Sequence, residues 1–90
     1  MSMFDLKGKV ALVTGGSMGL GLTFSDVLAE AGAEVSLTAR SADLLAEHAA
    51  ALHERHGTKV TYHPGDVTVV EDVQRVVADT LEQHGRIDIL

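Results

Sequence analysis

The chain has 90 residues, of which 46% are hydrophobic and 22% charged, a composition typical of globular proteins and unlike that of disordered ones. The 7 Lys and Arg residues against 13 Asp and Glu give a net charge of −6, the wrong sign for a surface that binds nucleic acid. The sequence has no cysteine and no run approaching the ~20 apolar residues of a membrane span, so we expect a cytoplasmic protein with no disulfide and no membrane partner.

A cluster of glycines separates the first predicted strand from the first predicted helix. Residues Lys9–Thr14 form a short apolar, β-branched run, which predicts a buried strand of a parallel sheet. A helical pattern begins at Gly19, and Gly32 predicts its end. Apolar residues at helical spacing predict that one stripe of this helix is buried, namely Leu20, Phe24, Val27, Leu28 and Ala31.

The second strand and helix follow the same pattern. Residues Glu34–Ala39 predict the strand, and Ser41 is a suitable N-cap for the helix behind it. Gly57 predicts the end of this helix. The positions expected to be buried are Leu44, Leu45, Ala49 and Leu52.

The third strand is predicted over Lys59–His63, where Pro64-Gly65 stops it. Thr68 and Glu71 fit a capping box, in which hydroxyl and carboxylate each bind a free backbone N–H at the start of a helix. Gly85 predicts the end of this third helix. The positions expected to be buried are Val73, Val76, Val77 and Leu81.

A fourth apolar strand begins at Ile87. The resulting order β-α-β-α-β-α-β predicts an α/β fold, with a parallel sheet, right-handed crossovers and helices on its faces. We expect residues 1–90 to be the N-terminal part of a single domain, interrupted within strand 4.

The glycine-rich turn between the first strand and the first helix has the spacing of a dinucleotide-binding motif. Gly15 permits a tight turn, Gly19 lets a pyrophosphate approach the backbone, and Gly21 lets the helix pack closely on the sheet. A P-loop is excluded because Leu22-Thr23 stands where Lys-Ser/Thr is required. The alternative is a glycine-rich turn without a ligand.

The end of the second strand discriminates between cofactors. An NAD site places an acidic residue there to bind the ribose 2′-hydroxyl, whereas this chain has Ala39-Arg40-Ser41. A guanidinium at this position can bind a 2′-phosphate, so the sequence favours NADP. The alternative is a solvated surface arginine.

Asp66 and Val67 follow the third strand, where parallel sheets form their ligand crevice. The carboxylate of Asp66 can accept a hydrogen bond from an adenine amino group, and Val67 can cover the ring. The alternative is that Asp66 only supports the start of the following helix.

Three motifs together resemble the start of a classical short-chain dehydrogenase/reductase. They are Thr14-Gly-x-x-x-Gly-x-Gly21, Gly65-Asp-Val-Thr68 and Gly85-Arg-Ile-Asp-Ile-Leu90, and the resemblance covers essentially the whole chain. It implies a Rossmann-type doubly wound parallel sheet with strand order 3-2-1-4 and an NAD(P)-binding domain. It also implies a homo-oligomeric oxidoreductase that reduces a carbonyl or oxidises an alcohol of a small molecule, of the 3-oxoacyl or sugar and polyol kind.

The resemblance assigns cofactor-binding positions residue by residue. The phosphates and ribose would be lined by Gly15, Ser17, Met18, Gly19, Leu20 and Gly21. Arg40 and Ser41 would face the 2′-phosphate, and Asp66 and Val67 would hold the adenine. Members that prefer NADP often have a basic residue where Met18 stands, so the preference rests mainly on Arg40, with NAD as the alternative.

The family's catalytic residues have no counterpart in this chain. Its members use a Ser and a Tyr-x-x-x-Lys pair, whereas Tyr62 is the only tyrosine and is followed four positions later by Asp66. We therefore expect an enzyme whose chemistry lies beyond Leu90. Two alternatives stay open, a nucleotide-binding module without catalysis and a non-functional fragment.

The remaining titratable residues are expected to lie on the surface and not to form a catalytic or metal site. His48, His53 and His56 lack the convergent partners of a metal site, so we expect no metal and solvent-facing histidines. No pattern places a histidine against Ser25-Asp26. Four acidic residues of the third helix are expected to form a solvated face, namely Glu71, Asp72, Asp79 and Glu82.

Overall fold

A computed structural model describes residues 5–15 and 19–89 and shows three strands alternating with three helices. The elements are β1 (Val10–Thr14), α1 (Gly19–Glu30), β2 (Glu34–Thr38), α2 (Ala42–His56), β3 (Val60–Tyr62) and α3 (Val70–His84). The predicted order of the first six elements is confirmed, with each of the three strands one or two residues shorter than the sequence pattern indicates, and the predicted fourth strand is represented by an isolated bridge at Ile89. No helix in the described ranges is both long and apolar enough to span a bilayer.

The sheet is parallel, and β2 lies between β1 and β3. Val35 of β2 pairs with Ala11 on one side and with Val60 on the other. Ala11 also forms a parallel bridge to Ile89, whose carbonyl accepts a hydrogen bond of 2.8 Å from the backbone N–H of Leu12. The segment after α3 therefore lies along the free edge of β1, which confirms the expected strand order 3-2-1-4.

The main core lies between β2 and the helices α1 and α2. Successive side chains of a strand point to opposite faces, so Val35 and Leu37 face one way and Ser36 and Thr38 the other. All four are buried. Val35 and Leu37 pack against apolar side chains of the two helices, namely Ala29, Leu45, Ala49 and Leu52. On the opposite face, the hydroxyl of Ser36 meets that of Thr80 in α3.

The predicted burial of α1 is wrong for its largest side chains. Leu20, Phe24 and Val27 are 68%, 54% and 51% exposed, whereas the buried residues of this helix are Ser25 and Ala29. Small side chains let α1 approach the sheet closely. The large ones line an open apolar groove of about 520 Å³ between α1, the end of β1 and Ile89. Helical spacing identified an apolar face, but no described residue packs over it.

The third helix also buries less than its pattern predicts. Val73 and Leu81 are half-exposed, and Val76 and Thr80 are its two buried residues. Residues four apart lie on one face of a helix, so α3 meets the sheet along a single narrow row. Leu44 of α2 is likewise exposed at its surface, against expectation.

The helix starts differ in part from the sequence prediction. Ser41 occupies the N-cap of α2 as predicted, but its hydroxyl makes no capping bond. The capping box is wrong, since α3 begins at Val70 with Val69 as its N-cap. The hydroxyl of Thr68 binds Asp66 instead, because that carboxylate lies only two residues away.

Two expectations about titratable residues are also corrected. His56 does not face solvent, since its Nε2 lies 2.7 Å from Oδ1 of Asp26, across the contact between α1 and α2. The acidic face of α3 is not uniformly solvated. Asp72 accepts a backbone hydrogen bond from Asp66, and Asp79 lies 4.0 Å from the ring of His63.

Candidate functional site

The carboxyl end of β1 leads into the glycine turn. Gly15 and Gly19 have φ values of 68° and 60°, in the left-handed region that favours glycine. A Cβ added at either residue would meet nothing within 4 Å. The turn therefore presents bare backbone to open space at the amino end of α1, where free N–H groups and the helix dipole favour an anion. Ser17 and Met18 lie outside the described residues.

Gly21 has a different role, because it is in contact with the strand end. A Cβ at this position would lie 2.8 Å from the carbonyl carbon of Gly15 and 3.1 Å from the carbonyl oxygen of Thr14. Real Cβ atoms essentially never lie within 3.0 Å of a backbone atom, so a side chain at this position would force the backbone to shift. The absence of a side chain at Gly21 thus lets the first turn of α1 pack against the end of β1, as the motif predicts.

Two hydrogen bonds join the carboxyl ends of β2 and β3. The hydroxyl of Thr38 donates to the carbonyl of His63 at 2.7 Å, and the backbone N–H of Gly65 donates to the carbonyl of Ala39 at 2.9 Å. The residues that follow the two strands are consequently held side by side. This is how the fold brings Arg40 and Asp66 together.

The Arg40 guanidinium lies 3.5 Å from the Asp66 carboxylate, and the Arg40 side chain is 76% exposed. The other carboxylate oxygen of Asp66 accepts hydrogen bonds from the backbone N–H and the hydroxyl of Thr68, at 2.9 and 2.7 Å. The Thr68 bonds, followed by the Arg40 charge, hold the pKa of Asp66 below its usual value of 3.8. Asp66 is therefore an anion and a hydrogen-bond acceptor at neutral pH.

Helix α3 fixes the loop that carries Asp66. The backbone N–H of Asp66 donates to Asp72 at 2.9 Å, and Arg75 donates to the carbonyl of Pro64 at 2.8 Å. Sequence reasoning missed these supporting residues. The Asp-x-Thr spacing of an Asx turn could have identified Thr68. No local signal identifies Asp72 or Arg75, because their contacts arise only when α3 docks.

The other described residues that are predicted to bind the cofactor lie at the same carboxyl end of the sheet. Leu20 is exposed in the first turn of α1, Ser41 is exposed at the start of α2, and Val67 is exposed beside Asp66. An apolar cavity of about 70 Å³ opens next to Asp66 and Val67. Its lining comes from the strand ends and α3, namely Leu12, Thr14, Thr38, Gly65, Asp66, Val67, Asp72, Val73, Val76 and Val77.

The described residues do not assemble a tyrosine–lysine pair. Tyr62 is half-exposed in β3, and the ammonium of Lys59, before the amino end of that strand, donates to the carbonyl of Gln83. In the same ranges, no group of three or more His, Cys, Asp or Glu side chains converges as metal ligands would. Among the described residues, the carboxyl end of the sheet presents open backbone at Gly15 and Gly19, the exposed guanidinium of Arg40 and the carboxylate of Asp66, which is the character of a binding site.

Comparison with known proteins identifies a family for this arrangement. The family model for short chain dehydrogenases matches residues 9–90. Sorbose reductase from Candida albicans is 38% identical over 91 residues, an alignment that covers 99% of this chain and 31% of the relative.

Solved structures agree in fold and sequence. L-sorbose reductase from Gluconobacter frateurii, complexed with NADPH and L-sorbose, superposes with a TM-score of 0.91 at 39% identity, over 98% of this chain and 33% of that one. NAD⁺-bound xylitol dehydrogenase superposes with a TM-score of 0.88 at 32% identity, over 92% of this chain and 32% of that one. The chain thus spans about a third of the length of the relatives it matches.

Proposed function

Because the chain belongs to the short-chain dehydrogenase family, we propose that it forms the dinucleotide-binding part of an NAD(P)-dependent oxidoreductase that prefers NADP. The observation that carries the preference is the position of Arg40. Its guanidinium is exposed at the carboxyl end of β2, and the acidic residue expected for NAD is absent there. NADPH in the related L-sorbose reductase supports this proposal, and NAD⁺ in xylitol dehydrogenase keeps NAD as the alternative.

The residues present fit a bound dinucleotide. The open backbone at Gly15 and Gly19 would hold the pyrophosphate, with Ser17, Met18 and Leu20 lining the phosphates and ribose and Gly21 allowing the approach. Arg40 and Ser41 would bind the 2′-phosphate. Asp66 would accept a hydrogen bond from the adenine amino group, while Val67 and the apolar cavity beside it would contact the ring.

The substrate class we propose is a small carbonyl or alcohol compound of the sugar or polyol kind. Its support is that the relatives are named for sorbose and xylitol. When bound, the nicotinamide would supply the hydride chemistry, and the residues of this chain would bind and orient it. A nucleotide-binding module without catalysis is not favoured, since these relatives are named as reductases and dehydrogenases.

Cofactor titration of the full-length protein tests the proposal. A charged hydrogen bond contributes about 1.5–3 kcal/mol, so Arg40→Ala should weaken NADPH binding roughly ten- to a hundredfold and leave NADH binding nearly unchanged. Asp66→Ala, which removes the acceptor for the adenine amino group, should instead weaken both cofactors by similar factors, because both carry the adenine.

Arg55→Ala is the matched control for charge. Arg55 is also an exposed arginine in an ion pair, 2.7 Å from Asp26, but it lies in the last turn of α2, outside the site described above. We expect this variant to bind both cofactors like the parent. An unchanged ratio of NADPH to NADH affinity in Arg40→Ala would refute the 2′-phosphate assignment.

We further propose that residues 1–90 belong to one NAD(P)-binding domain, and that the protein is a cytoplasmic homo-oligomer. Light scattering after size-exclusion chromatography would measure the number of subunits. Fractionation of cells would locate the protein. A monomer, or a protein recovered with membranes, would contradict the corresponding part of this proposal.

A further inference from the structure

The loop after β3 is shaped by hydrogen bonds among its own residues. We call residues 64–69 the Asp66 loop. Within it, Oδ1 of Asp66 accepts from the backbone N–H and the hydroxyl of Thr68, and the carbonyl of Asp66 accepts from the N–H of Val69 at 2.9 Å. A carboxylate oxygen has about two acceptor positions, so both positions of Oδ1 are occupied. Oδ2, which faces the guanidinium of Arg40, is the oxygen with a position left for a ligand.

Bonds to neighbouring elements hold the Asp66 loop in position. The backbone N–H of Gly65 joins it to the end of β2, and Arg75 of α3 donates to the carbonyl of Pro64. The backbone N–H of Asp66 itself donates to Oδ2 of Asp72, also in α3. The internal bonds of the loop would persist if it moved as a unit, whereas these bonds would break. They therefore decide where Asp66 lies relative to the strand ends.

Neighbouring residues support the contact between Asp72 and the Asp66 loop. Nη2 of Arg75 lies 3.5 Å from Oδ1 of Asp72, while Oδ2 accepts from Asp66. A Cβ added at Gly65 would lie 3.2 Å from the same Nη2 and 3.5 Å from the Cβ of Asp72. The absence of a side chain at Gly65 thus lets the loop lie directly against the first turns of α3.

We propose that Asp72 is a positioning residue for the cofactor, which fixes Asp66 before the adenine binds. Asp72 acts through the backbone of Asp66, whose Oδ2 then accepts from the adenine amino group. A loop that is ordered in advance binds more tightly than one that must be ordered on binding. Asp72 therefore determines how strongly the site distinguishes adenine from a base without the amino group. This inference rests on the proposed function, in which Asp66 binds the adenine.

Titration of the full-length protein with NADPH and with its hypoxanthine analogue tests the proposal, since hypoxanthine has a carbonyl oxygen in place of the adenine amino group. One hydrogen bond to a charged acceptor predicts that the unaltered protein prefers NADPH by about ten- to a hundredfold. Asp72→Ala should reduce this preference by about two- to tenfold, because only NADPH uses the ordered Asp66. An unchanged preference in Asp72→Ala would overturn the positioning role.

Two further variants separate positioning from helix stability. Glu71→Ala is the matched control, because it removes the same charge from the same first turn of α3 at an exposed position. It should keep the preference of the unaltered protein. Asp72→Asn retains an oxygen acceptor for the Asp66 N–H and should keep most of the preference. Equal losses in Glu71→Ala and Asp72→Ala, or no rescue by Asp72→Asn, would overturn the proposal.

Amide hydrogen exchange at Asp66, measured by NMR without cofactor, separates the two ways in which the proposal could fail. We expect the Asp66 amide to be protected in the unaltered protein and in Asp72→Asn, and to lose this protection in Asp72→Ala. Exchange at the intrinsic rate in the unaltered protein would overturn the role of Asp72 and leave the proposed function intact. An unaltered protein that binds NADPH and its hypoxanthine analogue equally would instead refute the adenine assignment, and the inference with it.

Discussion

The hydroxyl of Ser36 lies 2.8 Å from the hydroxyl of Thr80, joining the middle of β2 to α3 in the fully buried interior. Thr80 donates to the carbonyl of Val76 at 2.8 Å, one turn earlier in the helix. Because each hydroxyl has one proton, Ser36 must donate to Thr80. The hydrogen bond therefore runs from Ser36 to Thr80, and the two hydroxyls have different roles in it.

The direction of this pair predicts unequal costs of removing each hydroxyl. Thr80→Val leaves the Ser36 donor buried without an acceptor and should lower the free energy of unfolding by about 1–3 kcal/mol. Ser36→Ala removes a donor while Thr80 keeps Val76, so it should cost about 1 kcal/mol. The double variant should be more stable than the sum of the two losses implies. Urea denaturation measures all three, and equal costs for the single variants would contradict the assigned direction.

Gly21→Ala should destabilise the protein although alanine is the better helix former. Propensity alone would favour alanine by about 1 kcal/mol within a helix. The added Cβ would stand 2.8 Å from the carbonyl carbon of Gly15, so the first turn of α1 must move away from β1. We expect a net loss of about 1–3 kcal/mol, as in other overpacked sites.

Ala50→Gly provides the reference for this experiment. Ala50 is exposed within α2, so its exchange reports helix propensity without a change in packing and should cost about 1 kcal/mol. A stabilised Gly21→Ala protein would show that α1 does not depend on close contact with the end of β1.

The ion pair between α1 and α2 predicts a loss of stability in acid. Oδ1 of Asp26 accepts from both His56 and Arg55 at 2.7 Å, and the His56 bond is the main cause that holds the pKa of Asp26 below 3.8. A lowered folded-state pKa means that this stabilisation is present above pH 3.8 and is lost as the pH falls below it.

Asp26→Asn should therefore flatten the stability profile below about pH 4 and cost up to about 1 kcal/mol near neutral pH, a typical value for partly exposed pairs. Asp43→Asn in the exposed first turn of α2 is the matched control. Thermal denaturation across the acidic range measures the profile. An unchanged profile in Asp26→Asn would show that the pair contributes no stability.

The candidate site could be predicted from the sequence in its residue types but not in its contacts. Arg40 and Asp66 were identifiable because each follows a strand end, where parallel sheets place their ligands. Their 3.5 Å approach depends on the bonds that join the ends of β2 and β3, and these form between segments distant in sequence. Thr68 was misread as a helix cap, in which its hydroxyl would accept from a backbone N–H, and only the structure shows that this hydroxyl donates to Asp66.

By itself, the sequence determined the alternation of strands and helices, the glycine at the end of each helix and the motif at the end of β1. These features depend on short-range causes, namely hydrophobic periodicity and backbone conformations that favour glycine. The tertiary structure decided which faces are buried. Within α1, Phe24 is exposed and Ser25 is buried. His63 and His84 both contact the hydroxyl of Thr61. Burial and hydrogen bonding depend on which elements pack together in the fold, and the hydrophobic periodicity of the sequence does not specify that packing.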